Sequence, residues 1–142
     1  MVLVSGGGFY ENIPRMFKKG EDSPAFDAVI TEGSWTIPPI FARIAAAVND
    51  GAEGAECSSP AAVLSAQELG VQLLKTNETL KKQMFNTFNM GIGFVMALAP
   101  ADVRRAIEHL DSMNFPAYEI GRVEKAIGGA AGTQGVLRFA GH

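Results

Sequence analysis

Cysteine is nearly absent. Cys57 stands alone in 142 residues, so no intramolecular disulfide can form and a thiolate metal site has too few ligands. That usage fits a reducing compartment. Long apolar runs are missing too: nothing approaches the roughly 18 residues of a membrane span, so no membrane partner is expected. Residues 1–8 show no basic stretch followed by a long apolar one. No secretory signal is expected, and the cytoplasm is the default location. Positive charge is in short supply, with 12 Lys and Arg against 15 Asp and Glu and a net charge of -3. Neither nucleic acid nor an anionic membrane is therefore expected as the main partner. A phosphorylated small molecule stays open, because one local cluster of donors suffices for it. Histidine is scarce as well. His109 and His142 lie far from any glycine motif and receive no catalytic role. No Ser-His-Asp arrangement and no metal-ligand spacing can be drawn, and no metal site is expected.

What is present is the composition of a folded protein. Hydrophobic residues make up 47% and charged residues 19%, which excludes a disordered chain and suffices for one core. A single domain over 1–142 is expected. Strands and helices intersperse, so the class is α/β or α+β. Residues 2–4 read as a short strand running into Ser5-Gly6-Gly7-Gly8. A short helix follows over 9–17, with Pro14 expected in its first turn, where a missing N–H costs least. Residues 18–24 read as a loop and 25–31 as a strand. Gly33 to Pro39 is a turn into a helix carrying Phe41, Ile44, Ala45 and Val48 on one face. Residues 49–60 form a loop, and 61–75 a helix with Gly70 as its weak point. Asn77 caps a further helix bearing Leu80, Met84 and Phe88. Residues 94–99 read as a strand. Pro100 opens the clearest amphipathic helix, striped by Val103, Ile107, Leu110 and Met113. Strands are expected at 118–123 and 136–139, with a glycine-rich loop at 125–134.

Two glycine segments carry the chemistry. Gly6, Gly7 and Gly8 stand just before a helix, where they permit positive φ and close approach of a ligand. Their N–H groups and the helix N-terminus make an anion site, with Arg15 one or two turns on. The spacing is neither G-x-G-x-x-G nor a Walker loop, so on spacing alone a plain tight turn is favoured over an anion site. In the second segment, Asn89, Gly91 and Gly93 lead from a helix into an apolar strand. Glycine there marks a bulge or a close approach, and Asn89 can satisfy a loop or grip a substrate. Glu11 is a candidate base or cation ligand, or an ordinary first-turn acid. Trp35, with Pro38, Pro39 and Phe41, reads as core packing rather than ligand stacking.

These segments together resemble one family. Ser5-Gly6-Gly7-Gly8-Phe9-Tyr10-Glu11-Asn12-Ile13-Pro14-Arg15 resembles the Thr-Gly-Gly-Gly-x-x-Glu-Asn-(Ile/Leu)-Pro-Arg segment of aminoimidazole ribonucleotide synthetases (phosphoribosylformylglycinamidine cyclo-ligases). Gly33-Ser34-Trp35-Thr36-Ile37-Pro38-Pro39-Ile40-Phe41 is similar to that family's Ser-Trp-x-x-Pro-x-(Ile/Val)-Phe. Met84-Phe85-Asn86-Thr87-Phe88-Asn89-Met90-Gly91-Ile92-Gly93 is similar to its Glu-Met-x-x-Thr-Phe-Asn-x-Gly-(Ile/Val)-Gly. The order is the family's, and Tyr118-Glu119-Ile120-Gly121-Arg122-Val123 fits its tail. Ser5 replaces the usual Thr, Gln83 the usual Glu, and the His before the glycines is missing.

The resemblance implies a layered α/β domain, partly ferredoxin-like, corresponding to the C-terminal domain only. The N-terminal ATP-binding domain is expected to be absent and to be this chain's partner, and 49–79 to be an insertion. It implies ring closure of formylglycinamidine ribonucleotide with ATP and magnesium in the complete enzyme, in purine biosynthesis. Neither ATP nor magnesium is expected to bind this chain tightly on its own. Gly6, Gly7, Gly8, Asn12 and Arg15 would line a substrate cleft, with Asn89 and Gly91 across it, acting by binding rather than proton transfer; no catalytic residue is assigned. A homo-oligomer is allowed. The alternative is a stand-alone phosphate- or nucleotide-binding module without catalysis. A third reading, the C-terminal domain of a thiamine-monophosphate kinase or selenophosphate synthetase, is opposed by the combined segments.

Overall fold

The computed structural model describes residues 1–17, 25–49, 60–126 and 136–140. The loop expected at 18–24, most of those at 49–60 and 125–134, Cys57 and His142 lie outside the described residues. The order of elements is β1 (Val2–Leu3), α1 (Gly8–Arg15), β2 (Phe26–Thr31), α2 (Pro39–Asn49), α3 (Pro60–Thr76), α4 (Glu78–Thr87), β3 (Phe94–Val95), α5 (Pro100–Ser112), β4 (Gly121–Lys125) and β5 (Leu137–Ala140). The class is α/β, as expected.

β2 is the centre of a three-stranded sheet. Its Ala28, Val29 and Ile30 are buried, and an apolar run with β-branched Val29 and Ile30 suits a strand covered on both faces. It pairs antiparallel with β4, Ile30 opposite Gly121, and parallel with β5, Ile30 opposite Phe139. Asp27 is buried yet satisfied: one carboxylate oxygen accepts the Val136 N–H at 3.0 Å, and the other lies 3.4 Å from Arg138. β1 and β3 form a separate antiparallel ribbon, with Leu3 opposite Phe94.

An aromatic cluster joins helices to sheet. Phe9 on α1 stacks on Trp35 at 5.6 Å and meets Phe85 of α4 edge-on at 5.1 Å; Phe85 in turn meets Phe139 of β5 at 4.8 Å. Offset and edge-to-face contacts of this kind add about 0.5–1.5 kcal/mol each beyond area burial. Phe9 is fully buried, and Trp35 belongs to the same core. The indole N–H donates to the Met90 carbonyl at 3.0 Å, so the core also fastens the second glycine segment.

Three local expectations change. Pro14 stands in the last turn of α1, not the first. The helix begins at Gly8, and its end tightens: the Met16 N–H reaches the Ile13 carbonyl and the Phe17 N–H the Pro14 carbonyl, neither bond needing an amide on Pro14. The strand expected at 94–99 shrinks to two residues, because its partner β1 has only two. The strand expected at 118–123 sits at Gly121–Lys125, where the register with β2 holds it. Asn77 does cap α4, its Oδ1 accepting the Leu80 N–H at 3.0 Å.

Candidate functional site

The glycine turn is held from within by Asn12. Gly7 adopts the left-handed conformation at φ 87° and Gly8 follows at φ 51°, a pair that side-chain-bearing residues rarely tolerate. Gly8 also leaves no room. A Cβ there would lie 2.1 Å from the Phe85 carbonyl oxygen of α4. Asn12 is buried, and its Nδ2 donates to the Gly6 carbonyl at 3.1 Å and to the Gly8 carbonyl at 2.8 Å. Both amide protons are thereby committed to the turn. Its Oδ1 accepts from Arg15 Nη1 at 3.2 Å, while Arg15 Nη2 reaches Glu11 Oε2 at 3.4 Å. The Arg15–Glu11 pair is more than half exposed, so it contributes little to stability.

Of the three glycines, only Gly6 faces open space. The Glu11 carboxylate folds back over Gly7, with Oε2 lying 2.4 Å from where a Cβ would be. The turn therefore carries an internal anion beside its N–H groups. An incoming phosphate must move Glu11 aside and take Arg15 from it. Backbone amides with a guanidinium can bind an anion, although the Gly8 N–H is already taken by the Ser5 carbonyl at 2.9 Å. Of these donors, the Arg15 guanidinium is the one that Glu11 occupies, at 3.4 Å.

The second segment lies alongside. The Val4 N–H donates to the Gly93 carbonyl at 2.9 Å, which sets the turn after β1 next to the turn before β3. There Asn89 Oδ1 accepts the Gly91 N–H at 3.0 Å, and the Asn89 carbonyl accepts the Ile92 N–H at 2.8 Å. Met90 is fully buried at φ 49°. Gly91, at φ 95°, packs so closely on Pro38 that a Cβ would sit 2.5 Å from its Cδ. Asn89 thus shapes its own turn, as Asn12 shapes the first, and both turns share one end of the ribbon.

One cluster had no signal in the sequence, since its members lie far apart along the chain. Lys81 of α4 is buried, pairs with Glu32 at the end of β2, lies 3.7 Å from Glu78, and sits 5.1 Å from the centroid of the Phe139 ring. Tyr10 of α1 packs on the same ring at 5.9 Å. Burial raises the Tyr10 phenol above its ordinary value, and the Glu78 and Glu32 charges add to the shift. The cluster ties α1, α4 and the sheet together behind the glycine turn. Among the described residues, no group of three or more His, Cys, Asp or Glu is placed to hold a metal ion, and no helix is long and apolar enough to cross a membrane. His109 lies exposed on α5.

Comparison with known proteins identifies the family. The family model described as AIR synthase related protein, C-terminal domain, matches residues 1–132. The chain is 38% identical over 124 residues to the phosphoribosylformylglycinamidine cyclo-ligase of Clostridium novyi (strain NT), covering 87% of this chain and 27% of that protein. It is 38% identical over 135 residues to the protein of that name from Bacillus subtilis (strain 168), covering 92% and 29%. For the protein of that name from Thermoanaerobacter sp. (strain X514), identity is 34% over 129 residues, covering 91% and 28%. The chain thus spans less than a third of the length of these relatives.

Proposed function

The chain belongs to the AIR synthase related family as its C-terminal domain, and from that premise we propose that it supplies the substrate-binding part of an ATP-dependent cyclo-ligase of purine biosynthesis. The reaction is closure of the imidazole ring of formylglycinamidine ribonucleotide. The observation that carries the reading is the Asn12-clamped glycine turn with Arg15 at its edge and the Asn89–Gly91 turn beside it. Gly6, Gly7, Gly8 and Arg15 take the phosphate of the ribonucleotide. Asn12 and Asn89 hold the two turns in shape, and Gly91 lets the second turn pack on Pro38. The contribution is positioning and charge stabilisation rather than proton transfer.

ATP with magnesium supplies the activation of the amide oxygen that lets the internal amine attack. The described residues offer no cluster of carboxylates for that metal. On the family reading, metal and most ATP contacts belong to the part of the relatives' chains that this one does not span. The chain alone is then a half-site without turnover, and a cytoplasmic location follows from the same reading. A second reading, a phosphate- or nucleotide-binding module without catalysis, is favoured by one fact: the turn, its clamp and Arg15 are all complete within this chain.

Calorimetric titration with formylglycinamidine ribonucleotide, with ATP–magnesium as comparison, tests both. Saturable binding of the ribonucleotide, weakened by about tenfold or more in Arg15→Ala, is expected for a charge-assisted phosphate contact. Equal binding of inorganic phosphate and the ribonucleotide would favour the module. No binding to the folded chain would remove the preformed half-site.

A further inference from the structure

Asn12, Asp27 and Lys81 are the buried polar side chains among the described residues, and Lys81 is the one cation. The role proposed for the glycine turns does not use it. Its side chain is 6% exposed. Burying an ammonium ion is costly, and an apolar side chain of similar length is often as stable or more so in such a place. Stability therefore does not account for a lysine at this position. What an apolar side chain lacks is direction. The ammonium meets Glu32 at the end of β2, lies 3.7 Å from Glu78 and sits 5.1 Å from the Phe139 ring centre. Glu78 belongs to α4 itself and is exposed, so Glu32 is the charged partner that ties α4 to the sheet.

Both ends of the pair lie close to what shapes the glycine turns. Glu32 is fixed to the sheet, its N–H donating to the Ala140 carbonyl at 3.0 Å. Three residues on, Trp35 stacks on Phe9 of α1 and donates its indole N–H to the Met90 carbonyl at 3.0 Å. Lys81 stands one turn before Phe85, whose carbonyl oxygen lies against Gly8 so closely that a Cβ there would come within 2.1 Å. α4 ends at Thr87, and the chain runs on into the Asn89–Gly91 turn. Segments 32–35 and 81–90 are thus joined twice, by Lys81–Glu32 and by Trp35–Met90. The other buried side chains of α4, Leu80, Met84 and Phe85, are apolar, and apolar burial is non-directional. We propose that Lys81 is a positioning residue: its pair with Glu32 sets where α4 stands along the sheet, and so sets the second glycine turn against the first. The proposal rests on the ribonucleotide reading only for its ligand readout.

Lys81→Met and Glu32→Gln, singly and together, test it in the 142-residue chain. Trp35 is the only tryptophan, so its indole N–H gives one resonance in a proton–nitrogen NMR spectrum. In folded Lys81→Met that resonance should shift, and the proton should exchange with solvent at least about tenfold faster, as its bond to Met90 loosens. Glu32→Gln should move it the same way, and the double variant no further than Lys81→Met, because the pair acts as one unit. The melting temperature of Lys81→Met should fall by less than about 5 °C. Ribonucleotide affinity should drop about tenfold in Lys81→Met, although its side chain touches neither turn. An unchanged indole resonance, or additive changes in the double variant, overturns the proposal. A larger fall in melting temperature also overturns it, since the pair would then hold up the fold rather than place one helix. Undiminished affinity in Lys81→Met, where the parent binds, does the same. A parent that binds no ribonucleotide removes the ligand reading and leaves the indole resonance to decide the placement of α4.

Discussion

At the scale of single residues, the glycine turn depends on Asn12 more than on any charged group near it. Asn12→Ala strips a donor from two carbonyls, one of them buried, and should cost about 1–3 kcal/mol in urea unfolding. Arg15→Ala removes an exposed contact and should cost under about 0.5 kcal/mol. If the two variants lose equal stability, Asn12 is not the clamp. Tyr10 gives a pH signature. Its folded phenol is raised above 10.0 by burial first, then by Glu78 and Glu32. Above that value the unfolded chain ionises while the folded chain still holds its proton. The folded state then binds more protons, and stability falls as pH rises. Below the unfolded value the contribution is fully present. Tyr10→Phe should therefore show a shallower fall in melting temperature than the parent between about pH 9.5 and 11. Parallel slopes would mean that Tyr10 ionises freely in the folded protein. The two glycine turns were legible because each is contiguous in the sequence. The Lys81–Glu32–Tyr10 cluster was not, because Glu32 and Lys81 are joined across 49 positions by folding alone.

Among the elements, local signals did well wherever a side chain acts on its own backbone. Asn77 capped α4 as read, and Pro100 opened α5. α5 closes with a turn whose Asn114 sits at φ 61°, the Asn114 N–H bonding the Asp111 carbonyl and the Phe115 N–H the Leu110 carbonyl. What the sequence could not show was which partner each element meets. Residues 94–99 read as a strand by composition, yet pairing needs an opposite strand, and β1 offers two residues. Gly70 read as a weak point of its helix. In the fold, α3 crosses α2 so closely there that a Cβ would lie 1.7 Å from the Ala42 carbonyl oxygen. Gly70→Ala should thus destabilise despite the gain of about 1 kcal/mol in helix propensity. A net loss of at least about 1 kcal/mol is expected, since backbone and not a flexible side chain stands in the way. A stabilised variant in urea would mean that the two helices are farther apart. The segment expected as an insertion, 49–79, contains α3, and this contact would be the means by which it is held.

For the molecule as a whole, the core and α5 make different claims on cooperativity. Phe9, Trp35, Phe85 and Met84 sit in one buried cluster that joins α1, α4 and the sheet, and Trp35 is the only tryptophan. Its fluorescence therefore reports the global transition. α5 shares none of that burial. It is held by the connections at its ends and by i, i+3 and i, i+4 pairs such as Arg105–Asp102 and Arg104–Glu108, each worth only about 0.2–0.5 kcal/mol. A 13-residue helix is marginal in water without tertiary cover. Amphipathic spacing announced that α5 wants an apolar partner, but spacing carries no information on whether the same chain provides it. Native-state hydrogen exchange should then separate two units. Amides of α4 and β2 should exchange only with the opening that Trp35 reports. Those of α5 should open at least about 2 kcal/mol more easily. If α5 amides open with the global unit, the helix is part of the core after all.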